Sequence, residues 1–300
     1  MDRHAYLIMA YNNWDLLKKL LILLDDERND IFVHIDENSY DFNIEYFNDV
    51  VKKSDIFFIP RYQVYWADFS QTEVELNLLS FAAEHSNYKY YHLMSGSDLP
   101  IKTQDEIHNF FEDKDSEFIG ICPQEVYYSV RRVKYYHPFL HNKFYRNNKF
   151  LKITDRCFEY LQHLFCVNRL KNKQIKIIDG WTWFSVTDDF ARYIISRKDY
   201  IEEIFSKSIA SDELVMQTMI YNNPDFYKRI YNDKDLVKGS LRYIDWKRGE
   251  PYTFRKEDFE EIINQDEAVF ARKFDPNVDS EIIDKIYSYI NSKQKTDMVN

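Results

Sequence analysis

Glycine and proline are scarce, 5 and 7 residues in a chain of 300. That shortage excludes collagenous, glycine-linker and low-complexity chains. Cysteine is scarce too: Cys122, Cys157 and Cys166 are an odd set without CxxC spacing. Such a set excludes a disulfide framework and predicts buried or idle thiols of a reducing compartment. No run of about 18 apolar residues occurs, so no spanning helix is expected. The opening Met1-Asp2-Arg3-His4-Ala5-Tyr6-Leu7 enters an apolar strand-like run too short for a signal peptide, which predicts a cytoplasmic chain, at most peripheral to a membrane. Positive charge is in deficit, 40 Lys and Arg against 50 Asp and Glu. A net charge of −10 is the wrong sign for a chain whose main partner is nucleic acid. Walker, GxGxxG, HExxH and GxSxG motifs are missing, which removes most NTPases, dinucleotide enzymes, zinc hydrolases and serine esterases.

What is present describes a globular chain: 45% apolar and 30% charged residues exclude intrinsic disorder. Charge is unevenly spread. Residues 131–176 hold 12 Lys and Arg but only Asp155 and Glu159 as acids, giving +10 there and −20 elsewhere. The same stretch carries nine aromatics, among them Tyr135, Tyr145, Phe150, Phe158, Tyr160 and Phe165. Cations mixed with aromatics suit an anionic membrane surface, a lipid-linked substrate or a phosphate-rich ligand. A solvated helical face with an aromatic underside is the plain alternative.

Periodicity predicts an α/β fold. Tyr6–Ala10 reads as a buried strand, and Trp14, Leu17, Leu20, Leu21 and Leu24 recur at helical spacing after it. Asp30–Asp36, Ile56–Ile59 and Tyr88–Met94 read as further strands around a helix from Ser70 to Glu84, with Ser70 and Glu73 as its capping box. Strand, helix, strand is the opening of a parallel sheet, whose ligands sit at the strands' carboxyl ends. After the basic stretch, Thr182–Val186 predicts a strand, Asp188–Ser196 a helix, and Ser211–Tyr221 a helix capped by Ser211. Phe226–Tyr231 and Leu241–Trp246 read as strands. Without a linker-like stretch or a repeat, we expect one domain over residues 1–291: a nucleotide-binding half (1–120), a basic aromatic insertion (121–178) and a catalytic half (179–291), then a frayed tail (292–300).

Asp-x-Asp pairs at Asp113/Asp115 and Asp233/Asp235 have a spacing that holds a divalent ion on a diphosphate, but both lie in Lys-interrupted stretches that read as turns. Asp98, in Ser95-Gly96-Ser97-Asp98 after a buried strand, is better placed, either for a ligand or as a turn cap.

With Val33-His34-Ile35-Asp36, Trp66-Ala67-Asp68-Phe69-Ser70, the run from Tyr91 to Thr103 containing SGSDLPIKT, Gly180–Ser185, Ser211-Asp212-Glu213, Arg242–Trp246 and Phe270–Asp275, the chain resembles the core-2/I-branching β-1,6-N-acetylglucosaminyltransferases and their peptide xylosyltransferase relatives. The segments keep the family's order over residues 4–276. The resemblance implies a GT-A type fold and an inverting transferase that needs no metal or other cofactor, taking a UDP-sugar donor and a glycan acceptor. It places the base that deprotonates the acceptor hydroxyl on Glu213, with Asp212 toward the acceptor. It places the cations that neutralise the departing diphosphate on Arg242 and Lys273. Trp66 is matched to an aromatic that stacks on the uracil, Asp36 and Asp98 to the nucleotide-sugar site, and Trp181 and Trp183 to an acceptor platform.

Residue by residue, each position has a structural reading. Glu213 opens a helix, where its charge suits the dipole; Arg242 and Lys273 read as strand-end surface charges; Trp66, Trp181 and Trp183 read as core; and Asp36 reads as a turn cap. For the membrane anchor and disulfides of the animal enzymes no counterpart is expected here. A cytoplasmic relative is therefore expected to extend a bacterial surface polysaccharide on a lipid-linked glycan, with residues 131–176 against anionic lipid. A glycosidase with paired carboxylates and a noncatalytic glycan-binding protein are the competing readings.

Overall fold

The computed structural model describes residues 2–124 and 126–297. Among the described residues nine strands form two sheets. They are β1 (His4–Ala10), β2 (Asn29–Ile35), β3 (Asp55–Phe58), β4 (Tyr90–Ser95), β5 (Leu99–Pro100), β6 (Phe118–Cys122), β7 (Asp179–Thr187), β8 (Arg242–Ile244) and β9 (Phe270–Arg272). The six-stranded sheet runs β3-β2-β1-β4-β7-β6; its first four strands are mutually parallel and β7 is antiparallel to both neighbours. The small sheet runs β5-β9-β8. The helices are α1 (Trp14–Leu24), α2 (Ser70–His85), α3 (Gln104–Phe111), α4 (Tyr127–Lys134), α5 (Lys149–Leu164), α6 (Asp188–Ser196), α7 (Lys198–Phe205), α8 (Val215–Tyr221), α9 (Pro224–Tyr227), α10 (Leu236–Ser240), α11 (Phe259–Ile263) and α12 (Ser280–Asp297). This is the expected α/β architecture, a mainly parallel sheet flanked by helices.

Because side chains alternate across a strand, the central strands are apolar on both faces and feed two cores. Tyr6, Ile8, Ile31, Val33 and Met94 pack with the leucines of α1 and with Ile282, Ile286 and Ile290 of α12. Ala5, Leu7, Phe32 and Leu93 pack with Val74, Leu78 and Leu79 of α2 and with Phe190 of α6. The boundary expected at residue 120 falls inside β6, and β5 pairs with β9.

Several local expectations change. Glu73 does not cap α2: Phe69 is the N-cap residue without a side-chain bond, and Ser70 Oγ instead accepts from the Tyr65 N–H. A complete capping box sits at Thr103 and Glu106. Ser211 does not cap one long helix; Ser211–Glu213 is a 3₁₀ turn before α8, and its hydroxyl bonds Thr72 Oγ1 at 2.8 Å. Phe226–Tyr231 is not a strand, because Asn223 caps and Pro224 opens the short α9. The tail stays helical to Asp297, with Gln294 buried against α1, while residues 298–300 lie outside the described residues. Cys157 and Cys166 are exposed rather than buried.

Gly180 is fixed by β6. A Cβ there would lie 1.9 Å from the Gly120 carbonyl oxygen, at the irregular register between Ile119 and Ile121. Backbone rather than a flexible side chain blocks the position, so Gly180→Ala is expected to cost about 2–4 kcal/mol, above an ordinary overpacking change. Denaturant unfolding would check this, and an unchanged midpoint would refute it.

Candidate active site

The strands β1, β2 and β4 end at one edge of the sheet, and a cleft of about 580 Å³ opens there. Met9, Ala10, Asp36, Ser95 and Ser97 form its floor. One wall is the Val64–Trp66 loop, another is Thr182, Trp183 and Asp212, and a third is Arg272 with Lys273. Lys143, Arg146 and Asn147 close it from the basic segment.

The Asp212–Glu213 turn is positioned by three contacts. The Ala210 N–H donates to the Ala67 carbonyl at 2.7 Å, Ser211 meets Thr72, and Arg132 of α4 reaches across. Arg132 donates from Nε to the Ile209 carbonyl at 3.1 Å and from Nη2 to the Ala210 carbonyl and to Glu213 Oε2, the last at 2.8 Å. Asp212 is buried, and its Oδ2 accepts from Thr182 Oγ1 at 3.1 Å while its Oδ1 has no partner among the described residues. Burial raises the carboxyl pKa of Asp212. The Glu213 side chain is 45% exposed and, unlike Asp212, is not among the residues that line the cleft. Its pKa is also raised, first by partial burial and then by the Asp212 charge, with Arg132 pulling it back.

The opposite wall is cationic. The Arg272 guanidinium lies over the Trp183 ring, 3.9 Å from its centroid, and Nε is 3.5 Å from Asp98 Oδ1. Nε and Nη1 of Arg272 have no hydrogen-bond partner among the described residues. Among the described residues no ion pair engages Lys273. Like Arg132, Glu75 of α2 was not anticipated from sequence: 3% exposed, it lines the cleft with Oε1 unpartnered among the described residues. Burial, reinforced by Asp212, raises its pKa well above the ordinary value.

The Core-2/I-Branching enzyme family model matches residues 4–266. The chain belongs to the core-2/I-branching enzyme family. It is therefore a glycosyltransferase, which sets aside the glycosidase and the noncatalytic binding protein. None of the curated proteins matches it. Among solved structures it is similar to mouse xyloside xylosyltransferase 1 in the apo form, at 10% identity and a TM-score of 0.39, over 90% of this chain and 97% of that one.

Of the positions matched to the family, Asp36, Trp66, Trp183, Asp212 and Lys273 line the cleft. Trp66 is not core: 47% exposed, it stacks toward Tyr145 and lies under Lys152 Nζ at 5.2 Å. Asp36 also caps its turn, Oδ1 accepting from the N–H groups of Asn38 and Val64. Glu213, Asp98, Trp181 and Arg242 do not line it. Asp98 is buried behind it, accepting from Ser95 N–H and Oγ and facing Arg272. Trp181 packs on Trp246. Arg242, 1% exposed, is no surface charge: its guanidinium donates to Ser185 Oγ and to the carbonyls of Leu93, Phe184 and Ser240.

The cleft-side cation next to Lys273 is thus Arg272, which lies inside the same FARKFD segment. The Asp-x-Asp pairs lie off the cleft. Asp235 caps α10, Asp233 accepts from the Tyr227 hydroxyl, and Asp113 and Asp115 are exposed after α3. Among the described residues no three His, Cys, Asp or Glu gather as metal ligands, and no helix is long and apolar enough to cross a membrane.

Arg242→Met should lower the unfolding free energy by about 3 kcal/mol, since four buried acceptors lose their donor. Lys273→Met should stay within about 0.5 kcal/mol, as a half-buried charge without an ion pair. Urea titrations of the two variants check the contrast, and equal losses would contradict it.

Proposed function

We propose that the enzyme transfers a sugar from a UDP donor to a sugar hydroxyl, with inversion at the anomeric carbon and without a metal ion. N-acetylglucosamine is the first choice of sugar, with xylose or a hexose as alternatives. The acceptor is a glycan or lipid-linked glycan of a bacterial surface polysaccharide. One observation carries the reading: the buried carboxylate Asp212, with Glu213 next to it in the chain, shares a single cleft with Arg272, which keeps two N–H groups without a hydrogen-bond partner among the described residues, and with Lys273.

Glu213 takes the proton of the acceptor hydroxyl as its oxygen bonds to the anomeric carbon. The bond from that carbon to the UDP oxygen breaks, and the charge gathering on the diphosphate is met by Arg272 and Lys273. Arg132 aims Glu213 and keeps it ionised. Trp66 offers a face to the uracil, and Asp36 stands beside it for the nucleoside. Trp183, held flat by Arg272, presents a surface to the acceptor sugar.

Glu213→Gln should reduce transfer by about 10²–10⁴-fold while UDP binding, read by calorimetry, persists; full activity in that variant rejects Glu213 as base. Because Glu213 must be ionised and its pKa is raised, transfer should climb with pH on a limb centred above the ordinary glutamate value of about 4.3. Arg132→Ala removes the charge that opposes the shift, so the limb should move to higher pH, with Arg132→Lys partly restoring it. A pH–rate profile unchanged in Arg132→Ala would contradict the pairing. Transfer should survive EDTA; loss that Mn²⁺ restores would overturn the metal-free step. A thermal-shift screen against UDP-GlcNAc, UDP-xylose, UDP-galactose and UDP-glucose would identify the donor.

A further inference from the structure

Helix α5 is inside out. Its residues buried against the protein are polar, Asp155 and Gln162. Asp155 Oδ2 bonds the ring of buried His137 at 2.8 Å, and the Gln162 amide pairs with both backbone groups of Tyr136, at 2.8 and 2.9 Å. These bonds fix the helix's rotation. The opposite face then carries Phe150, Ile153, Cys157, Tyr160, Leu161 and Leu164, which recur at the spacing of one helical stripe. All are exposed, Phe150 by 73% and Tyr160 by 62%. Phe165 extends the stripe past the helix end. The exposed cations Lys149 and Arg156 run along one side of it.

We infer that α5 docks the enzyme on an anionic lipid bilayer, with its apolar stripe at the boundary of headgroups and acyl chains and Lys149 and Arg156 on the lipid phosphates. Two arguments select this occupant. The segment 131–176 carries +10 in a chain whose remainder carries −20. Part of that charge is engaged in the cleft and in ion pairs, but Lys149 and Arg156 beside the stripe are exposed and enter no ion pair among the described residues, so an anionic surface attracts this face and repels the acidic remainder. A helix of 16 residues is about 24 Å long. A stripe about 10 Å wide along it offers roughly 250 Å², far below the roughly 800 Å² per partner of a stable protein interface. The stripe does suffice for an interfacial helix, which needs only an apolar face with a cationic border. Docking also places the cleft beside the bilayer, because Lys152 of α5 and the neighbouring Tyr145 both contact Trp66 on the cleft wall.

Flotation of the full chain with phosphatidylcholine vesicles, with and without phosphatidylglycerol, tests the inference. Partition onto the phosphatidylglycerol vesicles should be at least about tenfold stronger, and should weaken with salt. The triple variant Phe150→Ser, Leu161→Ser, Leu164→Ser should lose binding with its melting midpoint unchanged, since all three side chains are exposed. Lys149→Glu with Arg156→Glu should abolish the preference for anionic lipid. No binding, equal binding to neutral vesicles, or binding that survives the triple variant would overturn it. So would a dimer, seen by light scattering, that the triple variant dissolves while vesicles never bind. UDP calorimetry on the same samples reports the donor site separately, so failure of either reading leaves the other standing.

Discussion

The bond network of Arg132 is the constraint on which the site depends. A buried guanidinium reaches from α4 to two carbonyls and one carboxylate of the 209–213 turn. That turn is latched in turn to the Trp66–Ala67 loop by the 2.7 Å bond from Ala210 to Ala67. Both loops contain a non-glycine residue with positive φ, Ala67 at 63° and Ala210 at 50°, conformations that persist only where surroundings enforce them. Remove the clamp and the carboxylate wall, the Trp66 wall and the basic segment lose their common anchor.

That anchor explains why the basic segment is not a pendant insertion. His141 bonds Asp68 at 3.3 Å, Tyr145 stacks toward Trp66, and Lys143 and Arg146 line the cleft. Its positive charge has two destinations: Lys143 and Arg146 line the cleft, and Lys149 and Arg156 border the outward stripe of α5. The acidic remainder of the chain makes both more selective, since like charges elsewhere discourage anions from other surfaces.

Strand and helix alternation was legible in the first hundred residues because central parallel strands are short apolar runs and α1 has clean helical spacing. Phe226–Tyr231 was misread for a local reason: its aromatics pack on α6 and α8, which apolarity alone does not distinguish from strand packing. The ordered motifs located the cleft, and five of the matched positions line it. What sequence could not tell was which of two strand-end cations faces it. Arg242 and Arg272 are both charged residues at strand ends, and only the tertiary packing shows that one is spent on carbonyls while the other stacks on Trp183. Arg132 and Glu75 lay outside every quoted motif. Composition alone left open whether the aromatics of α5 lie beneath a solvated face or meet a ligand or membrane; the hydrogen bonds of Asp155 and Gln162 turn one stripe of them outward.

The central claim is that Arg272 and Lys273 bind the diphosphate in place of a metal ion. Calorimetry of UDP against the full chain in chelator, compared with the Lys273→Met variant, tests it most directly. The account predicts binding without metal and a loss of affinity of about tenfold or more in the variant, the size of one charge-assisted contact. Unchanged affinity in Lys273→Met, or no binding until a divalent ion is added, would contradict it.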